Sequence, residues 1–370
     1  MRRLAFILYS LDAGGVERMT LHLAEYFIKH GYRVDLIVIN PKGEYAAHIP
    51  AGVRVISLSK KQAKAAVPAM ISYFRKQKPD IIFSAKDYLN VLVIFAKKVS
   101  RSNATLLVSS RVHLSEQARQ NPSSEQMKKW VKRTYRYADH VIGVSKGVAD
   151  DIQMIADLPI VHTIYNPVVT TELTMKMNQR VDHPFFSADE KNVFLAVGRL
   201  HEQKDYQTLI DAFAIVHEHL PDTCLLFVGD GDEKEALQKK VANQGLNDCV
   251  SFVGYQSNPY SYMKQADVFV LSSLYEGFGN VIVEAMAAGT QVVSTNCPSG
   301  PKEILANGTY GHLVPVGDAH ELAMAMECAL LQPISPAKLL ERAQQFTVEA
   351  CAEQYAQLWF DHEKESSSLR

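Results

Sequence analysis

Two glutamates flank a glycine-rich turn near residue 280, at a spacing that suits a ligand rich in hydroxyl groups. The apolar run Val268–Leu271 is followed by the sequence SSLYEGFGNVIVEAMAAG, in which Glu276 lies in the turn and Glu284 on a helix beginning near Val281. Backbone N–H groups at a helix start bind phosphate or sugar oxygens, and carboxylates accept hydrogen bonds from diols. We therefore predict that Glu276 binds sugar hydroxyls and Glu284 a ribose. The helix dipole favours a first-turn glutamate and explains Glu284 equally well, but not Glu276.

Two cations follow another apolar run, Phe194–Val197. Arg199 and Lys204, in the sequence GRLHEQK, are predicted at the C-terminal edge of a parallel sheet, where α/β proteins bind ligands. An arginine and a lysine five residues apart can grip a diphosphate, although two solvated surface cations fit the same spacing. Gly14 and Gly15 follow the first apolar run and permit close backbone approach to a ligand. They do not form a GxGxxG motif, and glycines at such a turn also serve geometry alone.

Buried strands alternate with amphipathic helices along the whole chain, which predicts two parallel sheets with right-handed crossovers and hence two Rossmann-like domains. Leu4–Leu8 follows Arg2 and Arg3, but this run is too short for a signal peptide and we interpret it as the first strand. The predicted strands are Leu4–Tyr9, Val34–Ile39, Ile81–Ser84, Thr105–Ser109, His140–Val144, Phe194–Val197, Thr223–Val228, Val250–Val253, Val268–Leu271 and Gln291–Ser294.

The domain boundaries follow from the loss of periodicity in the middle of the chain. We predict an N-terminal domain at 1–168, a linker at 169–192 and a C-terminal domain at 193–348. The tail carries Cys351, Tyr355 and Trp359 at helical spacing. A helix at 349–370 that packs back on the first domain fits this stripe, and so does a final helix of the second domain.

The two halves of the chain differ in charge. Residues 1–180 contain 27 Lys and Arg against 14 Asp and Glu, whereas residues 181–370 contain 12 against 26. A basic first half favours an anionic partner such as a membrane surface, but opposite charges also attract across a cleft. Within it, MKKWVKRTYRYA at 127–138 places Met127, Trp130, Val131, Thr134, Tyr135 and Ala138 on one helical face and five cations on the other. Adsorption at an anionic interface and ordinary packing on a sheet both fit this helix.

Composition excludes several classes of protein. The chain of 370 residues is 47% hydrophobic and 21% charged, and no apolar run is long enough to span a bilayer. Its five scattered cysteines have no metal-ligand spacing, which indicates reduced thiols. The sequence contains no recognised nucleic-acid-binding module. Asp230 and Asp232 stand two residues apart without the loop context of a metal site, so we expect no metal.

Taken together, these motifs resemble the retaining glycosyltransferases of family four, which have the GT-B fold. The resemblance rests on Glu276-x7-Glu284 around EGFGN, on GRL followed by Lys204, on Gly14-Gly15, and on ADHVIGVS at 138–145. It covers nearly the whole chain. The run 272–305 is most similar to bacterial enzymes that build lipopolysaccharide, O-antigen or other lipid-linked glycans. The resemblance implies two Rossmann-like parallel-sheet domains of α/β class, facing each other across a cleft.

The resemblance also implies a role for each matching residue. Arg199 and Lys204 match the pair that grips the donor diphosphate, and Glu284 matches the ribose ligand. Glu276 matches the carboxylate beside the transferred sugar.

Further donor contacts are implied for backbone groups and for one aromatic residue. The backbone of Phe278, Gly279 and Asn280 completes the contact with the sugar. Tyr255 holds the base, and Gly229 lines the same cleft.

From the opposite domain, Gly14 and Gly15 contact the diphosphate and the acceptor. His113 matches the active-site histidine, although the surrounding SSRVHLS departs from the commoner pattern and a polar loop residue is the alternative.

The implied activity is transfer of a hexose or N-acetylhexosamine from a nucleotide sugar, with UDP as the expected nucleotide, to a lipid-diphosphate-linked saccharide. We expect no required metal and no cofactor, a cytoplasmic location on the inner face of the bacterial membrane, and no nucleic-acid partner. Retention requires either a covalent intermediate or attack on the leaving group's own face; the resemblance implies front-face attack, and a covalent intermediate on Glu276 remains open. The alternatives are a soluble glycosyltransferase that makes a small glycoside or polysaccharide, and an inactive sugar-nucleotide-binding partner subunit.

Overall fold

The chain divides into two compact units. The computed structural model describes residues 1–12, 14–187 and 191–368, and the side chains of these except Gln120, Ser123 and residues 360–368. The first unit comprises Met1–Pro167 and Val348–Arg370, and the second comprises Val168–Thr347.

Each unit is built on one parallel sheet. The strands of the first unit are β1 (Arg3–Leu8), β2 (Arg33–Val38), β3 (Arg54–Ser57), β4 (Ile81–Ser84), β5 (Thr105–Ser110), β6 (His140–Gly143) and β7 (His162–Thr163). Those of the second unit are β8 (Asn192–Val197), β9 (Thr223–Val228), β10 (Val250–Gly254), β11 (Val268–Leu271), β12 (Gln291–Thr295) and β13 (His312–Val314). Their central strands are buried along most of their length, as expected when helices cover both faces of a parallel sheet.

In both sheets, the order in which successive strands are added reverses beside the first strand. The strand orders are β3-β2-β1-β4-β5-β6-β7 and β10-β9-β8-β11-β12-β13. The reversal lies between β1 and β4 in the first sheet and between β8 and β11 in the second. Ligands of open α/β sheets bind at the carboxyl ends of the strands at this switch point. Gly14, Arg199 and Glu276 lie in the loops that follow β1, β8 and β11, and Gly15 is the first residue of the helix after β1.

Helices connect the strands in both units. In chain order they are α1 (Gly15–Lys29), α2 (Val67–Gln77), α3 (Asp87–Ser100), α4 (Leu114–Gln120), α5 (Glu125–Thr134), α6 (Lys146–Ala156), α7 (Thr171–Lys176), α8 (Pro184–Ser187), α9 (Tyr206–His219), α10 (Lys234–Asn243), α11 (Tyr260–Gln265), α12 (Asn280–Ala288), α13 (Pro301–Ile304), α14 (Ala319–Leu331), α15 (Pro336–Ala343) and α16 (Val348–Ser368). Among the described residues, no helix is both long and apolar enough to cross a membrane.

The tail helix α16 packs in the core of the first unit. The ring centroids of Trp359 and Phe27 are 4.4 Å apart, and those of Tyr355 and Phe83 are 5.4 Å apart. Trp359 and Tyr355 are 2% and 1% exposed. This packing is the first of the two arrangements considered for the tail, and its remainder beyond Ser368 lies outside the described residues.

The segment 169–192 is not an extended linker in the structure. It contains α7 and α8 and belongs to the second unit, whose first residue is Val168. The N–H groups of Val168 and Val169 both donate to the carbonyl of Phe346, 2.9 and 3.0 Å away. Residues 188–190 of this predicted linker lie outside the described part of the chain. The sequence lacked periodicity here because both helices are shorter than two turns.

Candidate active site

A partly buried ion pair joins the two loops at the switch point of the second sheet. Lys204 follows β8, and its Nζ donates to Oε1 of Glu276, which follows β11, at 2.6 Å. The side chains are 16% and 12% exposed. The Ser273 hydroxyl donates to the same Oε1 at 2.8 Å. The structure thus brings together two residues that the sequence predicts to bind the diphosphate and the sugar.

Hydrogen bonds fix the backbone around this ion pair at several points. The N–H of Glu276 donates to the Pro298 carbonyl at 2.7 Å, and the Glu276 carbonyl accepts from the N–H of Ser299 at 3.0 Å. The Ser272 hydroxyl donates to the Lys204 carbonyl at 2.7 Å. A carboxylate held this way needs little reorganisation when charge develops beside it.

Two residues lie close enough to Glu276 to feel its charge, and the sequence alone did not indicate this proximity. Burial, and secondarily the Glu276 carboxylate, raise the pKa of Tyr206 far above its ordinary value. The same two causes raise the pKa of Cys297 to about 12. Both groups therefore stay neutral near pH 7. No motif marks them, because they reach the pair from α9 and from the loop after β12 through tertiary packing alone.

The glycine-rich turn opens α12 without a side-chain cap. Gly279 has φ +100°, a left-handed conformation that favours glycine, and no side chain caps the helix start. The Phe278 ring is turned inward, with its centroid 5.6 Å from that of Phe346. Phe278 is 3% exposed, so a ligand at this turn would contact its backbone rather than its ring. The geometry fits the predicted backbone role of Phe278, Gly279 and Asn280.

Glu284 lies one residue further along α12 than expected. The helix begins at Asn280, so Glu284 is its fifth residue and the first turn contains no acidic residue. The prediction of a first-turn position was therefore wrong, because the helix starts one residue earlier than the sequence pattern indicated. The dipole explanation of Glu284 is weakened, since the effect falls off beyond the first turn. Glu284 is 4% exposed, which sets it apart from a solvated surface carboxylate.

The remaining donor-side residues line the same edge of the sheet. Arg199 follows β8 and is exposed, and none of the described residues forms an ion pair with its guanidinium. Tyr255 follows β10 and is 65% exposed. Gly229 follows β9, and a Cβ there would lie 1.9 Å from the carbonyl oxygen of Gly198. Only glycine therefore allows these two loops to approach so closely.

The paired aspartates of GDGD do not form a metal site in the described structure. Asp230 and Asp232 are exposed, and Oδ1 of Asp230 accepts from the N–H of Gly231 at 2.9 Å. Within the described ranges, no cluster of three or more His, Cys, Asp or Glu side chains has metal-binding geometry.

The switch point of the first sheet carries a second lysine–glutamate pair. Lys86, after β4, donates to Glu17 in the first turn of α1. Glu17 is 2% exposed. A Cβ on Gly14 would lie 2.5 Å from its Oε2, so glycine at this position leaves room for the carboxylate. The sequence indicated the glycine loop but not this pair, because Glu17 and Lys86 are 69 residues apart.

His113 caps α4 in the first unit. Its Nδ1 lies 3.4 Å from the N–H of Glu116 and 3.4 Å from Oδ2 of Asp151. Asp151 is 3% exposed, and its Oδ2 also accepts from the N–H of Ser115 at 3.1 Å. Both contacts use Nδ1, and Nε2 makes no hydrogen bond to a described residue. The imidazole is thus held in place with one nitrogen left to meet a ligand.

The basic segment 127–138 has a split apolar face. Val131 and Tyr135 are buried, whereas Trp130 is 46% exposed. The helix ends at Thr134 and is followed by a 3-10 turn over Tyr135–Tyr137. The segment therefore packs on its unit through part of the predicted face and leaves the rest open.

Comparison with known families identifies the class of protein. Residues 13–172 match the model described as Glycosyltransferase Family 4, and residues 178–346 match the model described as Glycosyl transferases group 1. The two models together cover most of the chain. The chain belongs to the family-four glycosyltransferases, and its two Rossmann-like sheets are those of the GT-B fold, as the sequence predicted.

Individual relatives cover the chain almost end to end. It is 29% identical over 360 residues to the lipopolysaccharide core biosynthesis glycosyltransferase LpsE of Rhizobium meliloti, covering 93% of this chain and 95% of that protein. It is 25% identical over 342 residues to the N-acetylgalactosamine-N,N'-diacetylbacillosaminyl-diphospho-undecaprenol 4-alpha-N-acetylgalactosaminyltransferase of Campylobacter jejuni, covering 89% and 90%. Its fold matches Anabaena HepE in complex with UDP-glucose at a TM-score of 0.75 and 21% identity, covering 96% and 99%.

Proposed function

We propose that this glycosyltransferase moves a hexose or N-acetylhexosamine from a UDP-sugar to a lipid-linked saccharide, with retention of anomeric configuration, during assembly of a cell-surface glycan. The observation that carries the proposal is the partly buried Lys204–Glu276 pair, with the glycine-rich turn that opens α12 directly after Glu276. A site for donor cleavage needs a cation for the leaving diphosphate and a carboxylate for the developing positive charge on the sugar. This pair supplies both.

The donor binds along the carboxyl edge of the second sheet. Arg199 and Lys204 neutralise the diphosphate, Glu284 accepts hydrogen bonds from the ribose, and Tyr255 stacks on the base. The HepE complex with UDP-glucose supports a nucleotide-sugar donor, since that protein has the same fold.

Bond cleavage proceeds through an oxocarbenium-like state. The diphosphate leaves with the bonding electron pair and is stabilised by the two cations and by the helix N-terminus. The acceptor hydroxyl attacks on the face from which the diphosphate departs, and its proton passes to the diphosphate. Glu276 lies beside the sugar and stabilises the positive charge. Since two side-chain cations neutralise the diphosphate, turnover does not require a divalent metal.

The first unit binds the acceptor. Its excess of Lys and Arg suits an anionic lipid diphosphate at the cytoplasmic face of a membrane. The diphospho-undecaprenol acceptor in the name of the Campylobacter jejuni enzyme supports a lipid-linked acceptor, and the name of LpsE supports lipopolysaccharide as the product.

The test is a donor and acceptor panel on the purified full chain. UDP-linked glucose, galactose, N-acetylglucosamine and N-acetylgalactosamine are each assayed with and without undecaprenyl-diphosphate-linked sugar. Transfer to the lipid should survive excess EDTA, and the anomeric coupling in the product's NMR spectrum should match that of the donor.

Each alternative predicts a different outcome. Equal transfer to water-soluble sugars would favour the soluble enzyme, and nucleotide binding without turnover would favour the inactive partner subunit. Loss of activity on chelation, restored by Mg²⁺ or Mn²⁺, would overturn the metal-independent mechanism.

A further inference from the structure

An open groove runs across the first unit between α2, α3 and α5. Its volume is about 1060 Å³, at the upper end of the roughly 300–1,000 Å³ typical of small-molecule sites. Apolar side chains dominate its lining, and those used below are Val67, Tyr88, Leu92, Phe95, Met127 and Trp130. None of the donor-site residues of the second unit lines it.

The helix α3 explains why this surface is apolar. Its inner face buries Leu89, Val93 and Ile94 in the unit. Its outer face exposes Tyr88 at 38% and Phe95 at 55%. A helix that is hydrophobic all round is normally covered on all sides, but the described part of the chain leaves this outer face open. Exposed apolar patches with polar rims mark binding sites.

One rim of the groove is cationic. Lys61 and Lys64 line it from the segment before α2, and both are exposed. The described residues that line the groove include no Asp or Glu. A neutral peptide would need no such one-sided charge, whereas an anionic head attached to an apolar chain matches both parts of the site.

The cationic rim is joined to the ligand-binding edge of the first sheet. Tyr9 directly follows β1, and its hydroxyl donates to the Lys61 carbonyl at 2.8 Å. The ring centroids of Tyr9 and Tyr88 are 6.3 Å apart. Burial, Glu17 and Tyr9 raise the pKa of Tyr88 to about 12, so its phenol remains a hydrogen-bond donor at neutral pH. Two lining residues of the groove, Tyr9 and Tyr88, thus lie close to the end of β1, and the Glu17 carboxylate acts on one of them.

We propose that this groove binds one hydrocarbon chain of the acceptor lipid, with its anionic head at Lys61 and Lys64. The inference rests on the proposed function for the identity of the lipid as the acceptor. It differs from adsorption of a basic helix on a membrane, because it requires one chain to occupy a defined groove. Recognition should therefore depend on chain length, by about fourfold in Kd for each methylene that becomes buried.

The two tryptophans of the chain allow a direct test. Trp130 lines the groove, whereas Trp359 is 2% exposed in the core and serves as an internal reference. The probe is 12-bromododecyl phosphate below its critical micelle concentration, since bromine quenches tryptophan on contact. We expect saturable quenching that unbrominated dodecyl phosphate does not produce and that disappears in Trp130→Phe. Lys61→Ala with Lys64→Ala should weaken binding severalfold and leave 12-bromododecanol unaffected.

Matched variants on α3 distinguish lipid binding in the groove from nonspecific adsorption of the lipid to apolar surface. Phe95→Asp places a charge in the groove, whereas Val99→Asp changes a residue on the same helix that is 41% exposed and does not line it. Phe95→Asp should abolish quenching and remove the dependence of acceptor KM on chain length, and Val99→Asp should preserve both. UDP titration of the same samples reports folding and tests the donor site separately.

The outcomes distinguish this proposal from the proposed function. Quenching in the wild type without any UDP binding or transfer would reject the donor assignment and leave the groove as a lipid site. Absence of saturable quenching in the wild type, equal losses in both α3 variants, or a dimer that Phe95→Asp dissociates while lipid has no effect would overturn the groove proposal.

Discussion

The two switch points of this molecule carry the same kind of ion pair in different settings. In the second unit, Lys204 and Glu276 are 16% and 12% exposed, and the carboxylate sits in a glycine-rich turn held by backbone hydrogen bonds. In the first unit, the side chains of Lys86 and Glu17 are 30% and 3% exposed, and the carboxylate lies on a helix behind Gly14.

The difference shows what topology supplies and what it does not. Where the strand order of a parallel sheet reverses, the loops after the two neighbouring strands come close together. An ion pair can form between these loops in either unit. Under the proposed function, the groups around each pair decide which of the two acts on the donor. The second site adds an arginine that pairs with no described carboxylate, a close glycine contact and a helix start whose N-cap residue is a glycine. The first adds a glycine loop, a held histidine and an apolar groove, which suit an acceptor.

The largest effect expected from this comparison is on Glu276. Glu276→Gln keeps a hydrogen-bonding side chain but removes the negative charge beside the developing cation. We expect kcat to fall about 100-fold to 1,000-fold, the range typical of losing one transition-state contact. Steady-state kinetics with saturating donor measure it. Glu235→Gln on the exposed side of α10 is the control, and near-normal turnover in Glu276→Gln would reject the role of the carboxylate.

The next largest loss of activity is expected from removing either cation of the proposed donor site. Arg199→Ala and Lys204→Ala each remove a charge from the leaving diphosphate, so we expect each to lower kcat/KM by at least about tenfold. Thermal unfolding checks that the fold survives, most pointedly for Lys204→Ala, which leaves Glu276 without its cation. Lys239→Ala on α10 is the matched control. If both variants equalled that control, the diphosphate clamp would be misplaced.

A smaller and different effect is expected from the first unit. Glu17→Gln neutralises the carboxylate that pairs with Lys86, and we expect about a tenfold rise in acceptor KM with little change in UDP affinity. The exposed Glu25→Gln on the same helix is the control. A loss of UDP affinity in Glu17→Gln would contradict the division of labour between the two pairs.

The smallest effect concerns the support of His113. Asp151→Asn removes the carboxylate charge that lies 3.4 Å from His113 Nδ1, and we expect a loss of about 1 kcal/mol, or roughly fivefold in rate. We expect this loss in kcat at unchanged acceptor KM and unchanged unfolding temperature, which a purely structural role would not produce. The neighbouring exposed Asp150→Asn should behave as wild type. A lowered unfolding temperature with normal kcat would assign Asp151 to stability alone.

Sequence patterns identified the central strands and the edge strand β10, but missed the edge strands β3, β7 and β13. Thr223–Val228 and Val268–Leu271 were predicted with their observed bounds, because continuous apolar runs mark central strands. The strand Arg54–Ser57 is mostly exposed, and His162–Thr163 has only two residues, so neither gives a periodic signal.

The candidate site divides in the same way. Residues that a local motif carries, such as Glu276 with its glycines, could be predicted from the sequence. Tyr206, Cys297 and the Glu17–Lys86 pair could not, because they meet only through the fold. The groove could not be predicted either. The sequence of α3 has apolar residues on both faces of the helix, as a fully buried helix would.

The most direct measurement is calorimetric titration of UDP into the wild type, Glu276→Gln and Glu284→Gln, with steady-state kinetics beside it. UDP keeps the ribose and lacks the sugar. If Glu284 holds the ribose, Glu284→Gln should weaken UDP binding about tenfold or more. If Glu276 lies beside the sugar, Glu276→Gln should bind UDP as the wild type does while losing turnover. Loss of UDP affinity in Glu276→Gln together with loss of turnover alone in Glu284→Gln would contradict the account and reverse the two roles.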